Sequence, residues 1–309
     1  MRFERVEPQM GTLFHITLYA PDAETARAGF DAAFARVHEL DGILSDYKPD
    51  SELMRVCRDA WRAPVPVSGD LFRVLEESQK LAVQTDGAFD VTLGPVIRLW
   101  RKARSEHTLP SPDAIAAARR LTGYRKLMLD ASSRRVLLQS KDMLLDVGGI
   151  AKGYAADEAL GVLRGRGLNR ALVAASGDLA IGDAPEGENG WRIGVEPADG
   201  VSRQLTLVNT AVSTSGDTEQ FVEIDGKRYS HIVDPKTGMG LTNRIGVTVV
   251  APKGIVSDSV ATAVCVMGAE RGLAFVEGRG LAMLMVSGDR VFGTRLFTAA
   301  PSAQKQLRP

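Results

Sequence analysis

Leu144-Leu145-Asp146-Val147-Gly148-Gly149-Ile150-Ala151-Lys152-Gly153-Tyr154-Ala155-Ala156-Asp157 carries a short apolar run through a carboxylate and two adjacent glycines into a segment of helical composition. Glycine lets the backbone approach a ligand closely, and a helix N-terminus offers N–H groups without intrahelical partners and a partial positive charge. The stretch therefore predicts a junction that receives an anion, with Lys152 in the first turn of the helix. Asp146 suits a phosphate poorly and calls instead for a metal, a sugar hydroxyl or a ring N–H. An ordinary strand-to-helix turn would read the same way. Two familiar fingerprints are excluded. A Walker A loop needs Gly-Lys-Ser/Thr, whereas this loop reads Lys152-Gly153-Tyr154; Gly165-Arg166-Gly167 follows a helical pattern and reads as a C-cap, not a dinucleotide fingerprint.

Downstream of the helix at 151–164, residues 171–175 form a buried-strand pattern that ends in Ser176-Gly177-Asp178, and residues 191–195 and 204–208 are further strands. Residues 211–240 are the second dense region. Asp225-Gly226 between β-prone runs predicts a two-residue hairpin, which delivers His231 to the end of the returning strand beside the Asp234-Pro235 turn. A histidine there is a candidate general base, or a residue hydrogen-bonded into the turn. Residues 247–250 are a strand, and Ser257 reads as the cap of a helix holding Asp258 and Thr262 on one face. One carboxylate plus one hydroxyl is hard-oxygen chemistry, suited to Mg²⁺ at phosphates; a helix-dipole acid and a back-bonding threonine are the plainer alternative. Residues 281–297 add two strands, and the tail from 300 onward is expected to fray.

Upstream, residues 12–19 alternate as a half-buried strand after Met10-Gly11, and residues 23–44 carry apolar side chains at helical spacing. Ser45 to Leu53 is a polar turn that holds Tyr47 and opens a short helix. Ser68 caps a helix that stops at Asp86-Gly87. The stretch from Gly87-Ala88-Phe89-Asp90 through Gly94-Pro95 to Leu99-Trp100 reads as a loop against which a flat ligand could lie, or as a strand and turn with Phe89 in the core. Residues 101–110 read as a basic, mobile connection, Ser111-Pro112 as a helix start, and residues 130–138 as a hairpin.

With 309 residues the chain can bury a full core, and no linker or repeat divides it. Lys plus Arg and Asp plus Glu are equal at 38 each, so no global field favours nucleic acid or an acidic membrane, and anion recognition must be local. Cys57 and Cys265 lack metal-ligand spacing and read as buried thiols, with a single bridge between them the alternative. The N-terminus has no apolar signal region and no cysteine for a lipid anchor, and no stretch is long and apolar enough for a membrane helix. This points to the cytoplasm; a chain whose leader had been removed would read the same and be periplasmic.

Together these pieces resemble the ApbE family of flavin transferases. The resemblance rests on Met10-Gly11-Thr12, Ser45-Asp46-Tyr47 with Ser51-Glu52-Leu53, Gly87-Ala88-Phe89-Asp90 with Gly94-Pro95 and Leu99-Trp100, Asp146 to Gly153, Thr214-Ser215-Gly216-Asp217, Tyr229 to Gly238, and Asp258 to Thr262, in the family's order. It implies an α+β fold, related to T-folds, with antiparallel sheets, packed helices, and FAD and Mg²⁺ in a cleft between two intertwined halves of one domain over 1–300, followed by a tail at 301–309. It implies transfer of FMN from FAD to a Ser or Thr of a target flavoprotein, such as a membrane redox-complex subunit or a soluble reductase, with AMP released. Met10, Tyr47, Ala88, Phe89, Asp90, Asp146, Lys152, His231 and Ile232 match positions that line FAD. Gly149, Asp258, Ala261 and Thr262 match the Mg²⁺ site. His231, Asp90 and Lys152 are the catalytic candidates, with Asp234 a further candidate base. Two departures stand out: Asp178 where many members have Asn, and Val91 where many have Pro. A Mg²⁺-dependent FAD pyrophosphatase and a non-catalytic FAD carrier are the alternatives.

Overall fold

The computed structural model describes residues 1–195, 203–216 and 220–298. Asp217 and the tail at 301–309 lie outside the described residues. The fold is α+β, and the chain forms two compact units, each assembled from separate stretches: Met1–His38, Lys152–Ser215 and Ile245–Pro309 in the first, Glu39–Ala151 and Gly216–Arg244 in the second.

The first unit is built on an eight-stranded sheet whose spatial order follows the chain: Arg2–Gln9, Thr12–Tyr19, Ala171–Ala175, Asp178–Ile181, Thr210–Gly216, Ile245–Ala251, Ala282–Ser287 and Arg290–Gly293. The opening hairpin turns through Met10 and Gly11, with φ of 49° and 72°. Positive φ at both central residues gives the turn whose twist matches paired strands. Ser176-Gly177 is a second two-residue turn, with Ala175 opposite Asp178, so Asp178 opens a strand instead of closing a loop. Ile181, Val212, Val250 and Leu284 from the sheet pack with Trp191, Ile193, Leu205 and Leu207 from the antiparallel hairpin Trp191–Val195 and Arg203–Leu207. Each such side chain, once buried, contributes about 1.5–3 kcal/mol.

Two helices of this unit, Ala151–Gly165 and Gly254–Met267, meet at glycines. A Cβ on Gly153 would lie 2.1 Å from the Gly254 carbonyl oxygen, and one on Gly254 would lie 2.4 Å from that of Gly153. The second helix has no side-chain cap of its own. Asp157 of the first supplies one: its Oδ1 accepts from Gly254 N–H at 2.7 Å and its Oδ2 from Ile255 N–H at 3.0 Å. This corrects the reading of Ser257 as the cap. Ser257 is buried inside the helix and shares a 2.7 Å hydrogen bond with Ser213, because a carboxylate from a distant part of the chain satisfies the end one turn earlier.

The second unit holds the helices Glu52–Asp59, Gly69–Gln84, Gly94–Glu106 and Pro112–Arg120, a sheet with Arg135–Leu138 between Val65–Pro66 and Leu127–Asp130, and the hairpin Phe221–Ile224 and Lys227–Ser230. Ser51, Ser68 and Ser111 cap their helices through side-chain oxygens, the last two at the helix starts that the sequence predicts. Leu93, Val96, Trp100, Ala118, Val222, Tyr229 and Val233 belong to its core. The loop expected over 87–100 and the mobile connection expected over 101–110 are corrected here. Val91–Leu93 is a single 3-10 turn, and a helix runs from Gly94 to Glu106 with Pro95 in its first turn, where the missing N–H costs nothing. Gly94 is pressed against Leu144, whose carbonyl oxygen would stand 2.6 Å from an added Cβ. Cys57 and Cys265 are buried free thiols. Among the described residues no helix is long and apolar enough to cross a membrane.

Candidate active site

In the first unit the glycine contact between the two helices sets the electrostatics. It brings Asp258, 2% exposed, under the start of the helix Ala151–Gly165, where its Oδ2 accepts from Gly153 N–H at 3.0 Å. Lys152, next to Gly153, places its Nζ 2.9 Å from Asp178 Oδ2, which is also buried. One cation thus faces two buried carboxylates. Burial first, and repulsion from Asp178 second, push the Asp258 carboxyl up to about 7, against the pull of Lys152. Asp258 and then Asp178 in turn raise the Lys152 ammonium above its usual value, which keeps it charged.

Thr262 follows Asp258 by about one helical turn, on the same face, and its Oγ1 lies 3.2 Å from Ser215 Oγ. Ala261, between them in sequence, is buried. Among the described residues no cluster of three or more His, Cys, Asp or Glu side chains forms a metal cage. The donor set at this helix is a carboxylate and a hydroxyl with a surplus of negative charge, which fits a hard, oxygen-seeking divalent cation such as Mg²⁺ better than zinc. Met10 occupies the turn of the opening hairpin and is partly buried.

In the second unit Asp146 finds the partner that its sequence context left open. Its Oδ2 meets Arg101 Nη2 at 2.8 Å and its Oδ1 accepts from Gly148 N–H at 2.9 Å. Burial, then the neighbouring Asp46, raises the Asp146 carboxyl above its ordinary value, and Arg101 opposes both. Arg101 also pairs with Asp46 and lies over the ring of Tyr47, which is 74% exposed. Gly149 is partly buried in the following turn, where the N–H groups of Ile150 and Ala151 both return to the Val147 carbonyl.

Ala88 and Phe89 are buried, so the core reading of Phe89 holds for its side chain. Asp90 caps the 3-10 turn: its Oδ1 accepts from both Thr92 N–H at 2.8 Å and Thr92 Oγ1 at 2.6 Å, and burial raises its pKa. His231 follows the strand Lys227–Ser230, as the hairpin reading predicts. Its Nδ1 lies 3.0 Å from the Gln220 carbonyl oxygen. A carbonyl only accepts, so Nδ1 carries the proton, and in the neutral ring Nε2 is the basic nitrogen. Ile232 is buried. Asp234 spends its carboxylate on its own turn, accepting from Lys236 N–H at 2.9 Å and Thr237 Oγ1 at 3.0 Å. That turn is pinned from behind by Trp100, whose Nε1–H donates to the Gly238 carbonyl at 2.8 Å. Beside it lies a hollow of about 280 Å³, lined in part by Lys227, Tyr229, Asp234 and Met239. It is smaller than the ~300–1,000 Å³ of pockets that enclose drug-sized ligands.

The ApbE family model matches residues 10–285. This chain belongs to the ApbE family. A protein of Klebsiella pneumoniae (strain 342) named FAD:protein FMN transferase is 33% identical over 290 residues, spanning 90% of this chain and 82% of that protein. The flavin transferase ApbE from Vibrio cholerae is similar in structure, with a TM-score of 0.85 at 30% identity over 96% of this chain and 98% of its own. The ApbE protein from Thermotoga maritima gives a TM-score of 0.87 at 29% identity, with the same coverage.

Within this ApbE-family chain, three participants escaped sequence reasoning. Arg101 stood in a stretch read as a connection; the helix-start signal Gly94-Pro95, about two turns upstream, would have placed it on a helix. Asp178 was visible only as an added charge, and nothing local assigns it to Lys152. Asp157 carries no signal at all, since its targets at Gly254 and Ile255 are remote in sequence.

Proposed function

We propose that this protein transfers FMN from FAD to a serine or threonine hydroxyl of a target flavoprotein, releasing AMP, with Mg²⁺ held by Asp258 and Thr262 and by a backbone oxygen such as that of Ala261. The names of the relatives support flavin transfer. The observation that carries the chemical reading is the 3.0 Å contact of His231 Nδ1 with the Gln220 carbonyl oxygen at the end of a strand, which favours the tautomer with Nε2 as proton acceptor.

When bound, Mg²⁺ supplies charge withdrawal from the diphosphate. His231 Nε2 takes the proton of the acceptor hydroxyl as that oxygen bonds to the phosphorus on the FMN side. The bond from that phosphorus to the oxygen of the AMP phosphate breaks, and AMP leaves with the bonding pair. An unassisted hydroxyl is a poor nucleophile, and a positioned base contributes about 10²–10⁴-fold. Asp90 and Asp234 are the other candidates for that role; Thr92 engages the carboxylate of the first and the 234–237 turn that of the second. Lys152, kept charged by Asp258 and Asp178, stabilises negative charge on the leaving phosphate.

The test is intact mass of an acceptor domain bearing a threonine after incubation with this protein, FAD and Mg²⁺, with EDTA as control. A metal-dependent gain of one FMN with AMP released is the expected result. Free FMN and AMP without mass gain would establish a pyrophosphatase instead, and unchanged bound FAD would establish a carrier.

A further inference from the structure

Arg101 does more in the second unit than neutralise Asp146. Its guanidinium forks between Asp46 and Asp146, and its central carbon lies 4.3 Å from the centroid of the Tyr47 ring. The three charged side chains are largely shielded, with Arg101 24%, Asp46 17% and Asp146 8% exposed, whereas Tyr47 is 74% exposed. The turn that bears Tyr47 is fixed as well: Ser51 Oγ donates to the Ser45 carbonyl at 2.6 Å, and Tyr47 N–H donates to Ser45 Oγ at 3.3 Å. An exposed tyrosine ordinarily samples several rotamers. This one has a planar cation, itself clamped by two carboxylates, against one face, and offers the other.

We propose that Arg101 is a positioning residue that holds Tyr47 as a preset platform for one of the two flat ring systems of FAD. The inference rests on the FAD reading above and adds a residue to it. A ring held in place before the ligand arrives needs no ordering on binding, and stacking on an aromatic face accepts any flat heterocycle. Lysine cannot substitute: a compact ammonium pairs with one carboxylate but has neither the fork nor the flat face. Burial works against the Arg101 charge, yet Asp146 and Asp46 more than restore it.

The experiment titrates wild-type protein, Arg101→Lys, Tyr47→Leu and the double variant with FAD in the presence of Mg²⁺, then with FMN and AMP separately. Each single variant is expected to weaken FAD binding about tenfold, and the double variant no more than Tyr47→Leu alone, since Arg101 acts through the ring. FMN and AMP divide the two ring systems between them, and only the one whose ring rests on Tyr47 should weaken. Arg101→Lys binding FAD as tightly as wild type, losses that multiply in the double variant, or equal weakening of FMN and AMP would each overturn the proposal. If Arg101→Lys fails to fold, Asp46→Asn takes its place: it should weaken FAD in the wild-type background and have no effect in Tyr47→Leu. Wild-type protein that binds no FAD would refute the flavin reading itself, whereas wild-type binding with indifferent variants refutes only the platform.

Discussion

Lys152 Nζ reaches Asp178 Oδ2 at 2.9 Å, from the first turn of a helix to the first residue of a strand. With Asp258 also against it, this one ammonium answers two buried carboxylates. Removing it leaves both uncompensated, the costly way to break a buried pair. Lys152→Met should therefore lose about 3 kcal/mol at pH 8, measured by urea unfolding. At pH 5.5 the loss should be smaller, because Asp258, already pushed up to about 7, is neutral there. Equal losses at the two pH values would show that the pair does not carry this charge balance.

The same carboxylate makes the metal-free protein sensitive to pH in a defined direction. Asp258 is raised from an ordinary 3.8 to about 7, chiefly by burial and next by Asp178. A carboxyl that holds its proton more tightly in the folded chain than in the unfolded one favours folding below its unfolded value, and that contribution is lost as pH rises through the folded value. Thermal stability without metal should therefore decline between pH 4 and about 7 and level off above. Mg²⁺ competes with that proton, so its stabilising effect should be small at pH 5.5 and large at pH 8. Melting scans with and without Mg²⁺ across this range decide it; a metal effect independent of pH would exclude Asp258 as a ligand.

Gly153 supports the same arrangement through shape. A Cβ there would meet the Gly254 carbonyl carbon at 2.6 Å and Asp258 Cβ at 2.7 Å, neither of which is a flexible chain end. Gly153→Ala should cost about 1–3 kcal/mol by overpacking and weaken the response to Mg²⁺ as the helices separate. Gly161, in the same helix with nothing within 4 Å of an added Cβ, is the control. Gly161→Ala should stabilise by about 0.5–1 kcal/mol, the ordinary helix-propensity gain.

These residues also show where the sequence was informative. Asp225 and Gly226 have φ of 52° and 71°, the left-handed pair that their side chains favour, and the hairpin they form puts His231 at a strand end. The helix starts at Ser68 and Ser111 were legible for the same reason: each serine acts within three residues of itself. Asp157 capping a helix that begins at Gly254, Asp178 meeting Lys152, and Arg101 joining Asp46 to Asp146 were not. Each links chain positions that only the folded topology brings together, and a carboxylate has the same local preferences whatever it later meets. The run after Trp100 misled because its basic composition resembles a solvated linker, while Gly94 packed on Leu144 and Pro95 in the first turn decide for a helix.

Trp100 supplies the last test, since its role follows from one hydrogen bond. Its ring is 2% exposed and sits 5.2 Å from that of Tyr229, centroid to centroid, while its Nε1–H holds the Gly238 carbonyl at the base of the Asp234–Gly238 turn. That turn is closed by Asp234 N–H donating to the Met239 carbonyl and Gly238 N–H to that of Asp234, and Ser230 N–H donates to the Leu241 carbonyl just before His231. Trp100→Phe keeps an aromatic ring but removes the donor, leaving a buried carbonyl unsatisfied at a cost of about 1–3 kcal/mol. Amide exchange at Ser230, Asp234 and Gly238 should accelerate, and FMN transfer should slow because His231 loses its orientation. Trp61→Phe removes a tryptophan whose Nε1–H donates to the Arg58 carbonyl within its own turn, and should stay within about 0.5 kcal/mol of wild type. If Trp100→Phe lowers stability without changing exchange in the turn or the transfer rate, Trp100 serves the core alone and His231 is oriented by Gln220 without its help.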